Sequence, residues 1–125
     1  MPEEEKTEKI VIIATHGPED PERATIPFVM GNAALALDVE ATVVLQGTAV
    51  LLAVVDCYSH VFAGGLPPLK ELVDTFIELG GKILVCGPCI KERQITEEML
   101  VKMAKISAAG KVVMAAIEAD AVLNY

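Results

Sequence analysis

The sequence predicts an α/β protein, a three-layer α/β/α sandwich around a mostly parallel sheet of about five strands. Short runs of Val, Ile and Leu alternate along the 125 residues with longer segments whose apolar residues recur at helical spacing. The short runs are apolar throughout, as in strands that are buried on both faces. Parallel neighbours need crossover connections, which the intervening helices would supply.

The first half of the chain contains two predicted strands and two predicted helices. The first strand lies in "KIVIIATHG", and a helix follows within "GPEDPERATIPFVMGNAALALD". The expected apolar face of that helix consists of Ile26, Val29, Met30, Ala33 and Leu37. "ATVVLQ" is the second strand, "TAVLLAVV" a short apolar helix, and "DCYSHVFAGGLPP" a loop marked by its Gly-Gly and Pro-Pro pairs.

The second half contains two long amphipathic patterns and three short strands. "LKELVDTFIELGG" predicts a helix that ends near Gly80, with an apolar face made of Leu69, Leu72, Val73, Phe76 and Leu79. "KILVC" is the third strand. "ITEEMLVKMAK" is expected to be helical from the start signals Thr96 and Glu98, "KISA" to be a short strand, "KVVMAAIEAD" a helix, and "AVLNY" the last strand.

Charge and composition restrict the domain organisation and the partners. We expect residues 1–8 to be a disordered acidic tail and residues 9–125 to form a single domain. The net charge is −8 and the basic residues are scattered, which argues against a nucleic-acid partner. No signal-peptide pattern is present, and the longest apolar stretch is shorter than a membrane span, so we expect a cytoplasmic protein with no membrane contact.

Two segments with reactive side chains follow predicted strands, where parallel sheets collect their ligands. His16 and Gly17 follow the first strand, and Cys86-Gly87-Pro88-Cys89 follows the third. Cys86 is the candidate nucleophile, because the amides of a helix start and the nearby Lys91 and Arg93 would favour its thiolate. We expect Cys89 to point into the following helix and to be less accessible.

The cysteines also allow other chemistry. Cys57 and His60 together with Cys86 and Cys89 have the local spacing of a zinc site. Cys-Gly-Pro-Cys is also the thioredoxin tetrapeptide, although here it comes late in a chain without Trp and with no later proline. A dithiol oxidoreductase and a metal site therefore remain alternatives. The first loop has no G-x-G-x-x-G or Walker pattern, so no nucleotide is expected, and we predict no cofactor.

The segments "ATHGPED" and "LVCGPCIKERQI" resemble the DsrE/DsrF-like family of small sulfur-relay proteins, which includes the TusD type, and archaeal members in particular. The resemblance covers the chain from Lys9 to Tyr125 and puts the family's sulfur-accepting cysteine at Cys86. Cys89 is not part of the family pattern, and Gln94 stands where many relatives have Gly. The resemblance implies a parallel α/β sandwich (DsrEFH-like) and a homo-oligomer, trimer or hexamer.

The resulting hypothesis is a sulfur carrier or sulfurtransferase, and whether the protein is an enzyme stays open. Cys86 would accept sulfane sulfur as a persulfide or thiosulfonate and pass it to an acceptor thiol. The resemblance implies donor and acceptor proteins that are TusA-like or other DsrE-family subunits. A non-catalytic oligomeric binding module is a third alternative. We expect the subunit interface along residues 48–55 and the loop to Pro68, since this stretch is rich in apolar residues.

Overall fold

A computed structural model describes residues 7–125. Its strands are β1 (Lys9–Ala14), β2 (Glu40–Leu45), β3 (Lys82–Cys86), β4 (Ala104–Ser107) and β5 (Ala121–Asn124). Its helices are α1 (Pro21–Ala36), α2 (Val55–Tyr58), α3 (Leu69–Glu78), α4 (Gly87–Glu92) and α5 (Ala109–Glu118), and Gly47–Ala53 and Glu97–Met99 are 3₁₀ segments.

Most of the predicted acidic tail, residues 1–6, lies outside the described residues. At its end, the carbonyl of Glu8 accepts a hydrogen bond from the amide of Glu40 over 2.9 Å. Regular backbone pairing therefore begins at Glu8, one residue before β1. In residues 7–125, no helix is both long enough and apolar enough to cross a membrane.

The five strands form one all-parallel sheet in the order β4-β3-β2-β1-β5, which confirms the predicted fold class. The chain builds the sheet outward from β1 to β4 and then returns to add β5 on the other side of β1. Crossovers are right-handed, so a reversal of direction changes the face on which the connecting helix lies. The connections before β4 accordingly pack on one face, and α5 alone covers the other.

The two faces of the sheet are covered unequally. The larger core lies under α1, α3, α4 and the 3₁₀ segment Gly47–Ala53, and its fully buried members include Phe28 and Phe76. The smaller core consists of Val11, Val44 and Leu84 under three partly buried residues of the α5 segment, which are Val112, Ala115 and Ala119. No residue of α5 is fully buried, so this helix is a thin outer layer.

Helix α1 packs on a different face from the one predicted, and that prediction is wrong. The helix buries Ala24, Thr25, Pro27, Phe28, Gly31 and Ala34, whereas Met30 and Leu37 are 38% and 76% exposed. The spacing of apolar residues suggested the predicted face, but α1 must approach α3 closely. A Cβ atom at Gly31 would lie 2.7 Å from Cε1 of Phe76, so small residues are required along the contact.

Helix α3 buries Leu69, Val73 and Phe76 as predicted, but Leu79 is 53% exposed. The chain turns away before Leu79 can reach the core. Gly80 adopts a φ of +91°, and the amide of Gly81 bonds to the carbonyl of Phe76 over 2.8 Å. This is the glycine-terminated helix end expected at Gly80.

The helix predicted over residues 95–105 is wrong. The helix in this part of the chain is α4, which lies before the predicted one. It begins directly after Cys86 and ends at Glu92, and Gln94 then adopts a φ of +56°. Of the next residues only Glu97–Met99 form a 3₁₀ turn. The amide of Val101 instead bonds to the carbonyl of Ala53 over 2.8 Å, so tertiary pairing replaces helix formation. The strand predicted at "KISA" is confirmed as β4, one residue earlier.

Candidate functional site

The site lies at the carboxyl edge of the sheet, where the segments after β1, β2 and β3 meet. Gly17 follows β1, and its amide lies 3.1 Å from Oγ1 of Thr48, which follows β2. Next to Thr48, the amide of Gly47 donates to Sγ of Cys89 over 3.3 Å. A continuous set of backbone and side-chain contacts thus connects the first loop to the cysteine pair.

Cys86 ends β3 at the point where the sheet connections change face. Helix α4 leaves β3 toward the larger core, and α5 leaves β4 toward the opposite face. Ligand crevices of open parallel sheets form where successive helices diverge in this way. Cys86 pairs in register with Ser107 of β4, and a Cβ atom at Gly87 would lie 3.4 Å from Cγ2 of Ile106. A side chain at position 87 would thus only come into ordinary contact with β4.

Cys86 and Cys89 are joined as a disulfide, with their Cα atoms 5.2 Å apart. Both residues are half-buried. The expectation that Cys89 points into the following helix is therefore wrong. Because the first turn of α4 carries residue 89 around beside residue 86, the two sulfur atoms face each other.

Each sulfur of the pair also accepts a backbone hydrogen bond. The amide of Cys89 donates to Sγ of Cys86 over 3.3 Å, so Cys86 caps α4 with its side chain. The amide of Gly47 donates to Sγ of Cys89 over the same distance. An N–H group directed at sulfur stabilises the thiolate more than the thiol, so both positions favour the reactive form after reduction.

Gly47 is held in position by its own backbone and by Glu19. It adopts a φ of +58°, a conformation that glycine takes without strain. The neighbouring Thr48 donates its hydroxyl to the Glu19 carboxylate over 2.7 Å, and the amide of Gly17 donates to the same carboxylate over 2.9 Å. Desolvation of Glu19 opposes ionisation, but the hydrogen bonds from Thr48 and Gly17 outweigh it and lower the pKa of this carboxyl.

Gly17 is confined by the same loop. A Cβ atom at this position would collide with the carbonyl oxygen of Thr48, so the two loops approach as closely as glycine permits. This contact involves the loop and not the sulfur atoms, so a supporting role of Gly17 at the site stays a prediction.

His16 is half-buried at the same edge but belongs to a different part of it. Its Nδ1 lies 3.3 Å from Oγ1 of Thr15, which in turn donates to the carbonyl of Tyr125. Strand β2 separates β1 from β3, so His16 and Cys86 start from strands roughly 10 Å apart. Among the described residues no hydrogen bond joins His16 to either cysteine.

Lys91 and Arg93 are exposed beyond the pair. The Arg93 guanidinium donates to the carbonyl of Cys89 over 3.1 Å, which fixes the end of α4 rather than the sulfur atoms. In the part of the chain that the structure describes, neither cation forms a hydrogen bond or ion pair with Cys86. Because α4 has only six residues, individual amides rather than a helix dipole act on the sulfur.

The four candidate zinc ligands do not come together. Within residues 7–125 there is no group of three or more His, Cys, Asp or Glu side chains arranged to hold a metal ion. Cys86 and Cys89 are bonded to each other, while Cys57 lies in α2 as a free, half-buried cysteine and His60 is exposed.

Sequence reasoning missed Glu19, Gly47 and Thr48. The local pattern favours a solvated helix start for Glu19 and a simple turn for the Gly47-Thr48 pair. The available signal is the position of "QGT" directly after the second strand, since the carboxyl ends of adjacent parallel strands share one edge. The contacts of these residues with each other and with Cys89 depend on the order of the strands.

Comparison with known proteins identifies the family. The model of the DsrE/DsrF-like family matches residues 8–125. The chain belongs to the DsrE/DsrF-like family. Members of this family form oligomers and take part in sulfur relay. The uncharacterised protein MJ0989 of Methanocaldococcus jannaschii is 30% identical over 117 residues, which cover 94% of this chain and 99% of that protein.

Two solved structures share the fold of this DsrE-family chain. The ychN protein of E. coli superposes with a TM-score of 0.77 at 18% identity, covering 95% of this chain and all of that one. MTH1491 of Methanobacterium thermoautotrophicum, described as a protein of unknown function, gives a TM-score of 0.71 at 16% identity, covering 96% and 100%. At these identities the likeness concerns the fold alone.

Proposed function

We propose that this DsrE-family protein is a sulfur carrier or sulfurtransferase that uses Cys86 as its sulfur acceptor. One observation carries the proposal: Cys86 ends β3 at the carboxyl edge of the sheet, with its sulfur accepting a hydrogen bond from the amide of Cys89. This environment supports an activated and partly accessible thiolate, which is the one group that sulfane transfer needs. Membership in a family linked to sulfur relay supports the same function.

The chemistry is a pair of displacements at sulfur. After a thiol has reduced the Cys86–Cys89 disulfide, the Cys86 thiolate attacks the outer sulfur of a donor persulfide or the sulfane sulfur of a thiosulfonate. The donor S–S bond breaks, its remaining part leaves as a thiolate or sulfinate, and Cys86 holds the transferred sulfur as a persulfide. An acceptor thiolate then attacks the outer sulfur and restores Cys86. Donor and acceptor proteins that are TusA-like or DsrE-family subunits would fit these steps.

The test is sulfur loading measured by intact mass. Reduced Cys89→Ser protein is incubated with a low-molecular-weight persulfide and desalted, and we expect it to gain one sulfur atom that a reductant removes. Cys86→Ser should gain none. Cys57→Ser is the matched control, because Cys57 is a half-buried cysteine outside the pair, and it should leave the reactivity of Cys86 intact. Loading that survives loss of Cys86 would overturn the proposal.

The disulfide itself favours a second candidate, a dithiol oxidoreductase acting on protein disulfides. In that reaction the Cys86 thiolate attacks a substrate disulfide, and Cys89 then displaces the substrate thiol. Cys89→Ser should trap a mixed disulfide at Cys86 with a disulfide-bonded substrate such as insulin, and the native protein should reduce that substrate. Sulfur loading without insulin reduction would exclude this candidate.

We also propose a homo-oligomer, trimer or hexamer; Val55 and Phe62 are the large apolar side chains of the expected interface that remain exposed. Ala49, Val50, Leu52 and Ala53 are buried within the chain's own core and are not available to a partner. The large exposed apolar side chains of α5 are Val113, Met114 and Ile117, at 55%, 54% and 71% exposure. We call these three residues the α5 face. A second copy of α5, packed antiparallel about a two-fold axis, would bring Lys111 opposite the partner's Glu118 and would cover this face, as a contact between the two halves of a hexamer.

A further inference from the structure

The disulfide shows which sulfur atom Cys89 reaches. Its Sγ bonds directly to Sγ of Cys86, and the Cα separation of 5.2 Å is in the ordinary range for disulfides. In a Cys86 persulfide this same Sγ is the inner sulfur, with the transferred atom beyond it. Cys89 therefore faces the bond that holds the transferred sulfur to the protein.

The backbone favours Cys89 as a nucleophile in its own right. Its Sγ accepts the amide of Gly47, a donor that belongs to the loop after β2 and is independent of α4. The Glu19 and Thr48 contacts fix this loop without touching either sulfur atom, so the position of the Gly47 donor does not depend on the bond between the cysteines. A cysteine that served only as packing would not require a separate hydrogen-bond donor from another loop.

We propose that Cys89 discharges the Cys86 persulfide and that the protein thereby releases sulfide. This inference rests on the proposed function of Cys86. The Cys89 thiolate attacks Sγ of Cys86, the bond between Sγ and the transferred sulfur breaks, and that sulfur leaves as hydrosulfide. The sulfane sulfur is reduced by two electrons, and the two cysteines are oxidised to the Cys86–Cys89 disulfide. An external dithiol then reduces the disulfide by exchange and becomes a disulfide itself, which completes the cycle.

Proximity gives this route an advantage over transfer to another protein. A thiol three residues away acts at an effective concentration on the order of millimolar or more, whereas an acceptor protein is typically more dilute. The persulfide of the native protein is therefore short-lived unless a bound acceptor reaches the outer sulfur first. The substrate class is a low-molecular-weight or protein persulfide, the products are its thiol and sulfide, and the electron donor is a dithiol.

The experiment follows sulfide and protein mass together. Fully reduced native protein, Cys89→Ser, Cys86→Ser and Cys57→Ser are each exposed to a low-molecular-weight persulfide, and each reaction is divided into one part for sulfide and one part that is desalted for the protein mass. Released sulfide is then trapped with a bimane reagent and each protein is weighed intact. We expect native protein and Cys57→Ser to release stoichiometric sulfide and to become two hydrogens lighter. Cys89→Ser should keep the added sulfur and lose sulfide release.

The outcomes separate this inference from the proposed function. If Cys89→Ser takes up no sulfur while its circular dichroism spectrum is native, the function proposed for Cys86 fails. If Cys89→Ser loads and the native protein also keeps its added sulfur without releasing sulfide, only the role of Cys89 is overturned. Disulfide formation without sulfide, or loading of Cys86→Ser at Cys89, would likewise overturn the proposed order in which the two cysteines react.

Discussion

At the scale of single residues, Glu19 connects the loop after β1 with the loop that contacts Cys89. Its carboxylate accepts the Thr48 hydroxyl and the Gly17 amide, and Thr48 adjoins the Gly47 amide that donates to Cys89. Glu19 is a positioning residue under this arrangement, since it does not touch the sulfur atoms. Replacing Glu19 should weaken the hydrogen bond from the Gly47 amide to Cys89 more than it affects the hydrophobic core.

Glu19 also predicts a pH dependence of stability. Its folded pKa is lowered below the ordinary value of a glutamate, so its contribution is present above that ordinary value and is lost as the pH falls through the folded pKa. Glu19→Gln should lower the free energy of unfolding at pH 7 by less than about 1 kcal/mol, because the side chain is solvent-exposed. The difference from the native protein should vanish at acidic pH, as measured by urea unfolding at about pH 7, 5 and 3.

The matched control is Glu78→Gln. Glu78 is an exposed carboxylate at the end of α3 and has no hydrogen-bond partner among the described residues. Its substitution should not reproduce the pH-dependent difference. An equal and pH-independent effect of both substitutions would show that Glu19 does not hold the loop.

At the scale of secondary-structure elements, the contact between α1 and α3 depends on the space around one ring. Phe76 lies edge-on to Phe28, with ring centroids 5.6 Å apart and an interplanar angle of 87°. Gly31 borders the same ring, and a Cβ atom at Gly81 would collide with it. The glycines on α1 and after α3 therefore set the distance between the two helices.

This packing predicts that Gly31→Ala destabilises the protein even though alanine is the better helix former. The new methyl group would lie 2.7 Å from Cε1 of Phe76, and the resulting shift should cost about 1–3 kcal/mol. Gly110→Ala in α5 is the control, since no atom lies within 4 Å of its added Cβ, and it should be neutral or stabilise by up to about 1 kcal/mol. Urea denaturation measures both, and equal stability of the two variants would contradict the role of Gly31 in packing.

At the scale of the whole molecule, the unequal layers of the sandwich explain why apolar surface remains outside. A single return crossover leaves α5 to cover the second face of the sheet alone, and α5 turns its own apolar side chains outward. Exposed apolar side chains grouped on one helix are typical of surfaces that bind another protein. Lys111 near the start of α5 and Glu118 at its end carry opposite charges, which would attract each other across an antiparallel contact with a second copy.

The assembly prediction is that Ile117→Glu weakens the oligomer. Loss of one buried Ile side chain removes about 1.5–3 kcal/mol, which corresponds to roughly a tenfold or greater rise in the dissociation constant. Leu37→Glu is the control, because Leu37 is similarly exposed, at 76% against 71%, but lies directly after α1 at the opposite face of the sheet. Light scattering across a dilution series measures the effect. A monomeric native protein, or equal dissociation of both variants, would contradict the α5 interface.

Local patterns in the chain are sufficient to predict the strands, the helices α1, α3 and α5, and the position of Cys86 at the end of a strand. Runs such as "KILVC" predict a buried strand wherever they occur, and a cysteine at the end of such a strand comes to the ligand-binding edge of a parallel sheet. The amphipathic pattern of α3 and its terminating glycine at position 80 are equally local. Each of these features depends on spacing along a few residues, which the sequence contains directly.

The contacts between helices, strands and loops are decided only by the tertiary structure. The buried face of α1 depends on the space that Phe76 leaves at Gly31, and residues 100 and 101 pair with the segment before α2 instead of forming a helix. The donation from Gly47 to Cys89 and the support from Glu19 depend on β1, β2 and β3 being neighbours in that order. Periodicity along one segment does not identify the partner of a side chain, and in α1 it does not identify the buried face either. Contacts between residues 19, 47 and 89 therefore become visible only when the strands are assembled.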